Sequence, residues 1–203
     1  MKFNPAIHHR KSIRIQGYDY AQDGAYFVTI CTYNRQCLFG DIKGVLQYAP
    51  TAEMVLNPFG IVVRDAWQNT PVIRPGILLD AFVIMPNHVH GIIIIRRGTR
   101  RGVLRTGVLR TGVLRTGVLP YAPTPIFQSP SQNIGAIVRG FKSSTTKQIN
   151  QIRGTPGLPV WQRNYHEHII RNEEELHRIR EYIITNAQNW VNDTHFMTES
   201  ESS

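Results

Sequence analysis

The first clear pattern along the chain is an alternation. In "AYFVTICTYN" (25–34), Tyr26, Val28, Ile30 and Thr32 fall on one side and Phe27, Thr29 and Cys31 on the other, because successive strand residues point to opposite faces. β-Branched and aromatic residues dominate the stretch, which predicts a central strand. The period then changes. "NPFGIVVRDAWQNTP" opens with Asn57 in the N-cap position and Pro58 at the first helical position. Phe59, Val62, Val63, Ala66 and Trp67 form one apolar stripe, and Thr70-Pro71 ends the helix. "GILLDAFVIM" (76–85) and "HVHGIIII" (88–95) read as two strands joined by a turn at Pro86-Asn87, which makes them a hairpin.

The second half resumes the alternation of periods after an interruption. "GVLRTGVLRTGVLRTGVLP" (102–120) is a pentapeptide repeat whose glycine at every fifth residue suits neither helix nor strand. "GVLQYAPT" (44–51) and "GVLPYAPT" (117–124) differ at one position in eight, so both read as copies of one element inserted into surface loops. In "SQNIGAIVRGFKSSTTKQINQIR", Ile134, Ile137, Val138, Phe141 and Ile149 recur on one helical face, with Arg139, Lys142 and Lys147 away from it. "GTPGLP" breaks that helix, and "VWQRNYHEHII" (160–170) reads as a strand. "NEEELHRIREYIITNAQNW" is the last helix. Asn172 caps it, Glu175 completes a capping box, and Leu176, Ile179, Ile183, Ala187 and Trp190 supply its core stripe.

The order β, α, β, β, α, β, α predicts an α+β fold: one antiparallel sheet with helices packed on one face. A length of 203 residues fits a single domain over 1–203, with loop insertions at about 44–51 and 98–131 and a flexible tail from about 193.

Charge adds a direction. The chain carries 23 Lys and Arg against 14 Asp and Glu, a formal charge of +9. No acid lies between Asp80 and Glu167, a stretch that holds twelve lysines and arginines. A one-sided basic region of this length suggests a polyanionic partner, most simply nucleic acid; a solvated surface is the plainer alternative. No apolar run is long enough for a membrane span, the start "MKFNPAIHHRKSIR" lacks the apolar stretch of a signal peptide, and Cys31 and Cys37 form neither a zinc pattern nor a disulfide framework. A reduced, cytoplasmic protein is expected.

"MPNHVHGIIII" (85–95) is the leading candidate for chemistry, although most short HxH sequences are structural or incidental. His88 and His90 are alternate residues at a strand start, so they share a face. Two imidazoles so placed can hold one cation and leave other coordination positions open, and an open cation can polarise a phosphoryl oxygen. There is no GxSxG, HExxH, P-loop or Cys/His signature to supply another chemistry. On the last helix Tyr182 lies beside the apolar stripe, with Asn186 as its i+4 neighbour. From the residues alone, a half-buried packing tyrosine with a polar neighbour is the favoured reading of this pair. A second metal reading joins "HVH" to "HEH" (166–168) as one four-histidine site.

Taken together, "RKSIRIQGYDYAQDGAYFVTICTYNRQCLFG", "FVIMPNHVHGIIII", "GFKSSTTKQIN" and "VWQRNYHEHIIRNEEELHRIREYIITN" resemble the single-tyrosine HUH transposases, and among them the REP-associated tyrosine transposases of bacteria. The resemblance runs from about residue 8 to about 192, apart from the two GVL-bearing insertions.

The resemblance implies a ferredoxin-like sheet with the HUH pair on a central strand and a nucleophilic tyrosine on the C-terminal helix. His88 and His90 match the pair that binds Mg2+ or Mn2+, Tyr182 matches the nucleophile, and Asn186 stands where relatives carry a further ligand as Gln or Asn. The implied reaction is nicking and rejoining of single-stranded DNA at hairpin or palindromic repeats through a 5′-phosphotyrosine, by a monomer or a homodimer. Arg10, Lys11, Arg14, Arg139 and Lys142 are expected to touch phosphates or guide bases, on the ground of charge and position. The alternative is a domesticated nucleic-acid-binding protein that has lost catalysis.

Overall fold

The computed structural model describes residues 22–44, 52–96 and 133–190. In chain order its elements are β1 (Gly24–Cys31), β2 (Gly40–Lys43), β3 (Glu53–Leu56), α1 (Pro58–Gln68), α2 (Thr70–Ile73), β4 (Ile77–Met85), β5 (His88–Ile95), α3 (Ile134–Ile152), β6 (His166–Ile170) and α4 (Glu173–Thr185). The strands β4-β5-β1-β6, in that order, make one four-stranded antiparallel sheet. β1 and β4 both run antiparallel to β5, so they are parallel to each other with β5 between them; β5 and β6 stand in the same relation about β1. Two such split βαβ units give the ferredoxin-like topology. The expected α+β class and single main sheet are therefore present.

Local chemistry explains where the helices begin. Asn57 Oδ1 accepts from Phe59 N–H (2.9 Å) and Gly60 N–H (3.0 Å), satisfying donors that the first turn leaves open. Asn172 Oδ1 accepts from Glu175 N–H at 2.8 Å. The reciprocal half of the expected capping box is displaced by one residue: Glu175 Oε2 accepts from Arg171 N–H (2.8 Å), while Oε1 meets His168 Nε2 at 2.7 Å. The Glu175 carboxyl is held below its usual range first by the Arg171 amide and then by His168.

One face of the sheet is the main core. Tyr26, Val28 and Ile30 of β1 and Val89, Ile93 and Ile95 of β5 are buried in one cluster with Val63 and Trp67 of α1 and Ile137 and Phe141 of α3. Burying each such side chain contributes about 1.5–3 kcal/mol. Gly91 fixes how closely α1 approaches, because a Cβ there would collide with the Trp67 indole. His90 and Ile92, on either side of Gly91 in the strand, point the other way.

That second face also needs cover, since β5 is apolar on both: Ile92 is fully buried although it faces away from Trp67. Helix α4 provides it. Arg180 of α4 bonds Asp80 of β4, and the Tyr182 hydroxyl meets His90 of β5. The expectation of helices on one face thus holds for α1 and α3, whereas α4 lies on the opposite one. Two further features depart from the pattern-based reading. β2 and β3 pair as a separate two-stranded sheet, from four-residue strands too short to register as alternation. The strand expected over 160–170 begins only at His166: Trp161 makes an isolated bridge to Thr32, and the Gln162 and Asn164 carbonyls turn to the Lys142 ammonium (2.8 and 2.7 Å) instead of to a ladder. Residues 45–51, the insertion expected over 98–131 and the tail from about 193 lie outside the described residues.

Candidate active site

Strand register assembles the site. His88 pairs with Cys31 and His90 with Thr29 across β5 and β1, and paired residues of antiparallel strands share a face. The two imidazoles stand with ring centroids 4.4 Å apart and are buried, at 0% and 2% exposure. Their Nδ1 atoms are both engaged, His88 with Asn87 Oδ1 and His90 with Thr29 Oγ1, each at 2.8 Å. This turns the Nε2 edges away from the strand's own hydrogen-bonding partners. Orienting partners of this kind accompany almost every metal-ligating histidine.

Helix α4 closes over the pair. Tyr182 Oη lies 3.1 Å from His90 Nε2. Its ring meets Phe27 edge-on, with centroids 6.1 Å apart, and Phe27 is itself stacked on His90 at 5.4 Å. Asn186 is the C-cap of α4 and 1% exposed. Trp190, 5.9 Å from the His88 ring, brings the end of the segment over the first histidine. Tyr182 nevertheless remains 44% exposed, so the phenol is reached from solvent while its hydroxyl rests on the buried imidazole.

Two ties hold α4 in place. At its start His168 of β6 bonds Glu175. Further along, Arg180 binds the Asp80 carboxylate through Nε (2.8 Å) and Nη2 (2.6 Å), a bidentate pairing. The Arg180 hydrogen bond holds the Asp80 carboxyl below the usual carboxylate range, and Asp80 in turn raises Arg180.

His88, His90 and Tyr182 are thus brought together, with Asn186 one helical turn beyond the tyrosine. The four-histidine arrangement is not formed. His166 and His168 share the sheet face of His88 and His90, but β1 runs between the two pairs. His168 is committed to Glu175, and among the described residues no three His, Cys, Asp or Glu side chains gather to hold an ion. Arg139 is exposed on α3 beside Arg74. Lys142 is spent on two backbone carbonyls, and burial pushes its ammonium down to about 8. Arg10, Lys11 and Arg14 lie outside the described residues. Sequence reasoning missed Thr29, Asn87, Phe27 and the Asp80–Arg180 pair. An aspartate inside the apolar run "GILLDAFVIM" was the one local signal; the other contacts depend on register.

No family model matches the chain. A Haemophilus influenzae protein described as an uncharacterized protein is 42% identical over 192 residues, covering 95% of this chain and 96% of its own. The chain belongs to the family of that protein. Its fold is similar to a solved structure of a REP-associated tyrosine transposase bound to a REP hairpin, with a TM-score of 0.48 and 18% identity over 88% of this chain and 74% of the other. Among the described residues no helix is long and apolar enough to cross a membrane.

Proposed function

We propose that this chain is a single-tyrosine HUH transposase that nicks and rejoins single-stranded DNA at hairpin repeats through a 5′-phosphotyrosine. The observation that carries the reading is the 3.1 Å approach of the hydroxyl of Tyr182, a residue 44% exposed, to the buried imidazole of His90. A tyrosine kept only for packing would send its hydroxyl to water; this one directs it to a buried imidazole.

His88 and His90 would hold Mg2+ or Mn2+, with the Asn186 amide oxygen as a further ligand. Two imidazoles and an amide bring no charge of their own, which suits a cation that must also accept a phosphate oxygen. When bound, such a cation would polarise the scissile phosphoryl group and offset the charge that develops on it. Asn is one methylene shorter than Gln, so its reach depends on the position of α4, which the Asp80–Arg180 and His168–Glu175 ties fix. A phenol with an ordinary pKa of about 10 is a weak nucleophile, so in-line positioning is the helix's main contribution. In the reaction the Tyr182 phenol loses its proton and its oxygen bonds to phosphorus. The P–O3′ bond breaks and the 3′-oxygen takes up a proton. One phosphodiester link replaces another, so a second 3′-hydroxyl can reverse the step without a nucleotide cofactor.

The test is a denaturing gel of the protein incubated with hairpin-bearing single-stranded DNA and Mg2+ or Mn2+. Tyr182→Phe should keep DNA binding and eliminate the covalent adduct, and His88→Ala or His90→Ala should abolish nicking. Tyr165→Phe should retain the adduct, because Tyr165 packs against the main core and donates to Glu167 at 2.8 Å. An adduct that survives in Tyr182→Phe and disappears in Tyr165→Phe would overturn the assignment. Binding with no adduct under any divalent cation would favour the catalytically silent binder.

A further inference from the structure

We propose that Asn87 is a positioning residue that commits His88 to one tautomer, with the proton on Nδ1 and the lone pair on Nε2. This deepens the reading above and rests on it, since it concerns how half of the proposed cation site is prepared. The argument is one of donors and acceptors. Asn87 is 1% exposed, and its Nδ2 donates to the Arg35 carbonyl at 3.1 Å. A carbonyl can only accept, so the amide atom facing it is the NH2 group. The other amide atom, 2.8 Å from His88 Nδ1, is therefore the oxygen. That oxygen also only accepts. His88 Nδ1 must carry the proton, and in the neutral ring the lone pair then lies on Nε2.

The fixed end of this relay is the Arg35 carbonyl, and the chain holds it in a costly conformation. Asn34 and Arg35 have φ of 51° and 54°, the left-handed region that residues with a Cβ avoid. Such conformations persist where the surroundings over-determine them. Here Arg35 N–H donates to the Thr32 carbonyl at 3.1 Å, and Thr32 N–H donates to the Asn87 carbonyl at 2.8 Å. The one proton of the Thr32 hydroxyl is shared between that carbonyl at 3.0 Å and the Gln36 carbonyl at 2.8 Å. The strained turn after β1 and the start of β5 are thus one hydrogen-bonded unit that ends on His88.

His90 is different. Its Nδ1 meets the Thr29 hydroxyl and its Nε2 meets the Tyr182 hydroxyl, and a hydroxyl can donate or accept. Its proton follows its partners, whereas that of His88 is set by an amide.

The experiment is side-chain 15N NMR of the full, metal-free chain with labelled histidine, at a pH where the ring is neutral. The His88 signals are assigned by their loss in His88→Gln. Wild type should show a proton bound to His88 Nδ1 and a lone-pair signature at Nε2. Asn87→Ala and the near-isosteric Asn87→Leu should both lose that preference, because neither offers Nδ1 an acceptor. If Asn87→Ala does not fold, the wild-type and Asn87→Leu spectra still decide. An Nε2–H tautomer in wild type, or an unchanged tautomer in a folded Asn87→Ala, overturns the proposal. Mn2+ titration of the same proteins gives a second readout, with affinity about 10–100-fold weaker in Asn87→Ala. An Nδ1–H tautomer in a wild type that binds no Mn2+ would support the role of Asn87 and overturn the cation reading instead.

Discussion

Arg180 grips Asp80 with two hydrogen bonds, at 2.8 and 2.6 Å, so the helix that carries Tyr182 is tied to strand β4 two residues before the tyrosine. Asp80 owes its place to a register shift between Leu79 and Phe82. Those two are three residues apart, and without the shift they could not both pack against the main core. Asp80→Ala should lower stability by about 1–2 kcal/mol, the lower range for charged hydrogen bonds, since a third of the Arg180 side chain is in solvent that screens it. Urea unfolding measures this. Adduct formation should fall more than DNA binding does, because α4 loses its lateral anchor, and the exchange Asp80→Arg with Arg180→Asp should recover part of both. Equal losses of binding and adduct would mean that the tie serves the fold as a whole.

The same pair gives a pH dependence. The Asp80 carboxyl is depressed in the folded state by Arg180, so its contribution is fully present above the unfolded value of about 3.9 and is lost as pH falls through the lower folded value. The difference in Tm between wild type and Asp80→Asn should therefore be constant from neutral pH down to about 5 and shrink below about 4. Thermal scans across that range check it. A difference that persists well below the folded value would mean that shape, rather than charge, makes the contact.

How much of this was legible depended on range. The strands of the main sheet, the caps at Asn57 and Asn172 and the shared face of His88 and His90 rest on neighbours in sequence, and the sequence pattern displays them. The Tyr182–Asn186 spacing is equally local, but its meaning came from the resemblance. Thr29 and His90 meet across 61 residues, and Asp80 and Arg180 across 100; no window of periodicity contains both partners. The face chosen by α4 was hidden for a related reason. Its apolar stripe says only that one side is buried, and both faces of β5 are apolar enough to receive it.

Gly91 is the point where the main core limits the site strand. Gly91→Ala would drive a methyl into the Trp67 indole, and overpacking of this kind costs about 1–3 kcal/mol. Trp67→Phe removes the part of the ring that is struck, so the double variant should be less destabilised than the sum of the two singles, as a double-mutant cycle would measure. Additive losses would show that β5 itself moves away from α1 to admit the methyl. His90 is the neighbouring residue, so in that case the cation affinity of Gly91→Ala should fall as well.

The GVLRT repeat can be tested apart from the rest of the chain. The main core is built from residues on both sides of it, up to Ile95 and again from Ile134, and closure entropy changes only slowly with loop length. Deleting residues 102–116, three whole units, should therefore leave the unfolding midpoint and adduct formation unchanged. The deletion also removes Arg105, Arg110 and Arg115, which makes the salt dependence of DNA binding informative. For single strands, log K falls with log salt by about 0.7 for each phosphate neutralised. If the repeat is an inert insertion, the deletion should bind with the same slope as the full chain. If its three arginines held phosphates, the slope would become shallower by about 2 (three times about 0.7). We expect no change, because the repeat lies outside every segment that carries the family resemblance. The full chain should still show a steep slope, supplied by basic residues elsewhere. A flat salt dependence in the full chain would count against a polyanionic substrate altogether.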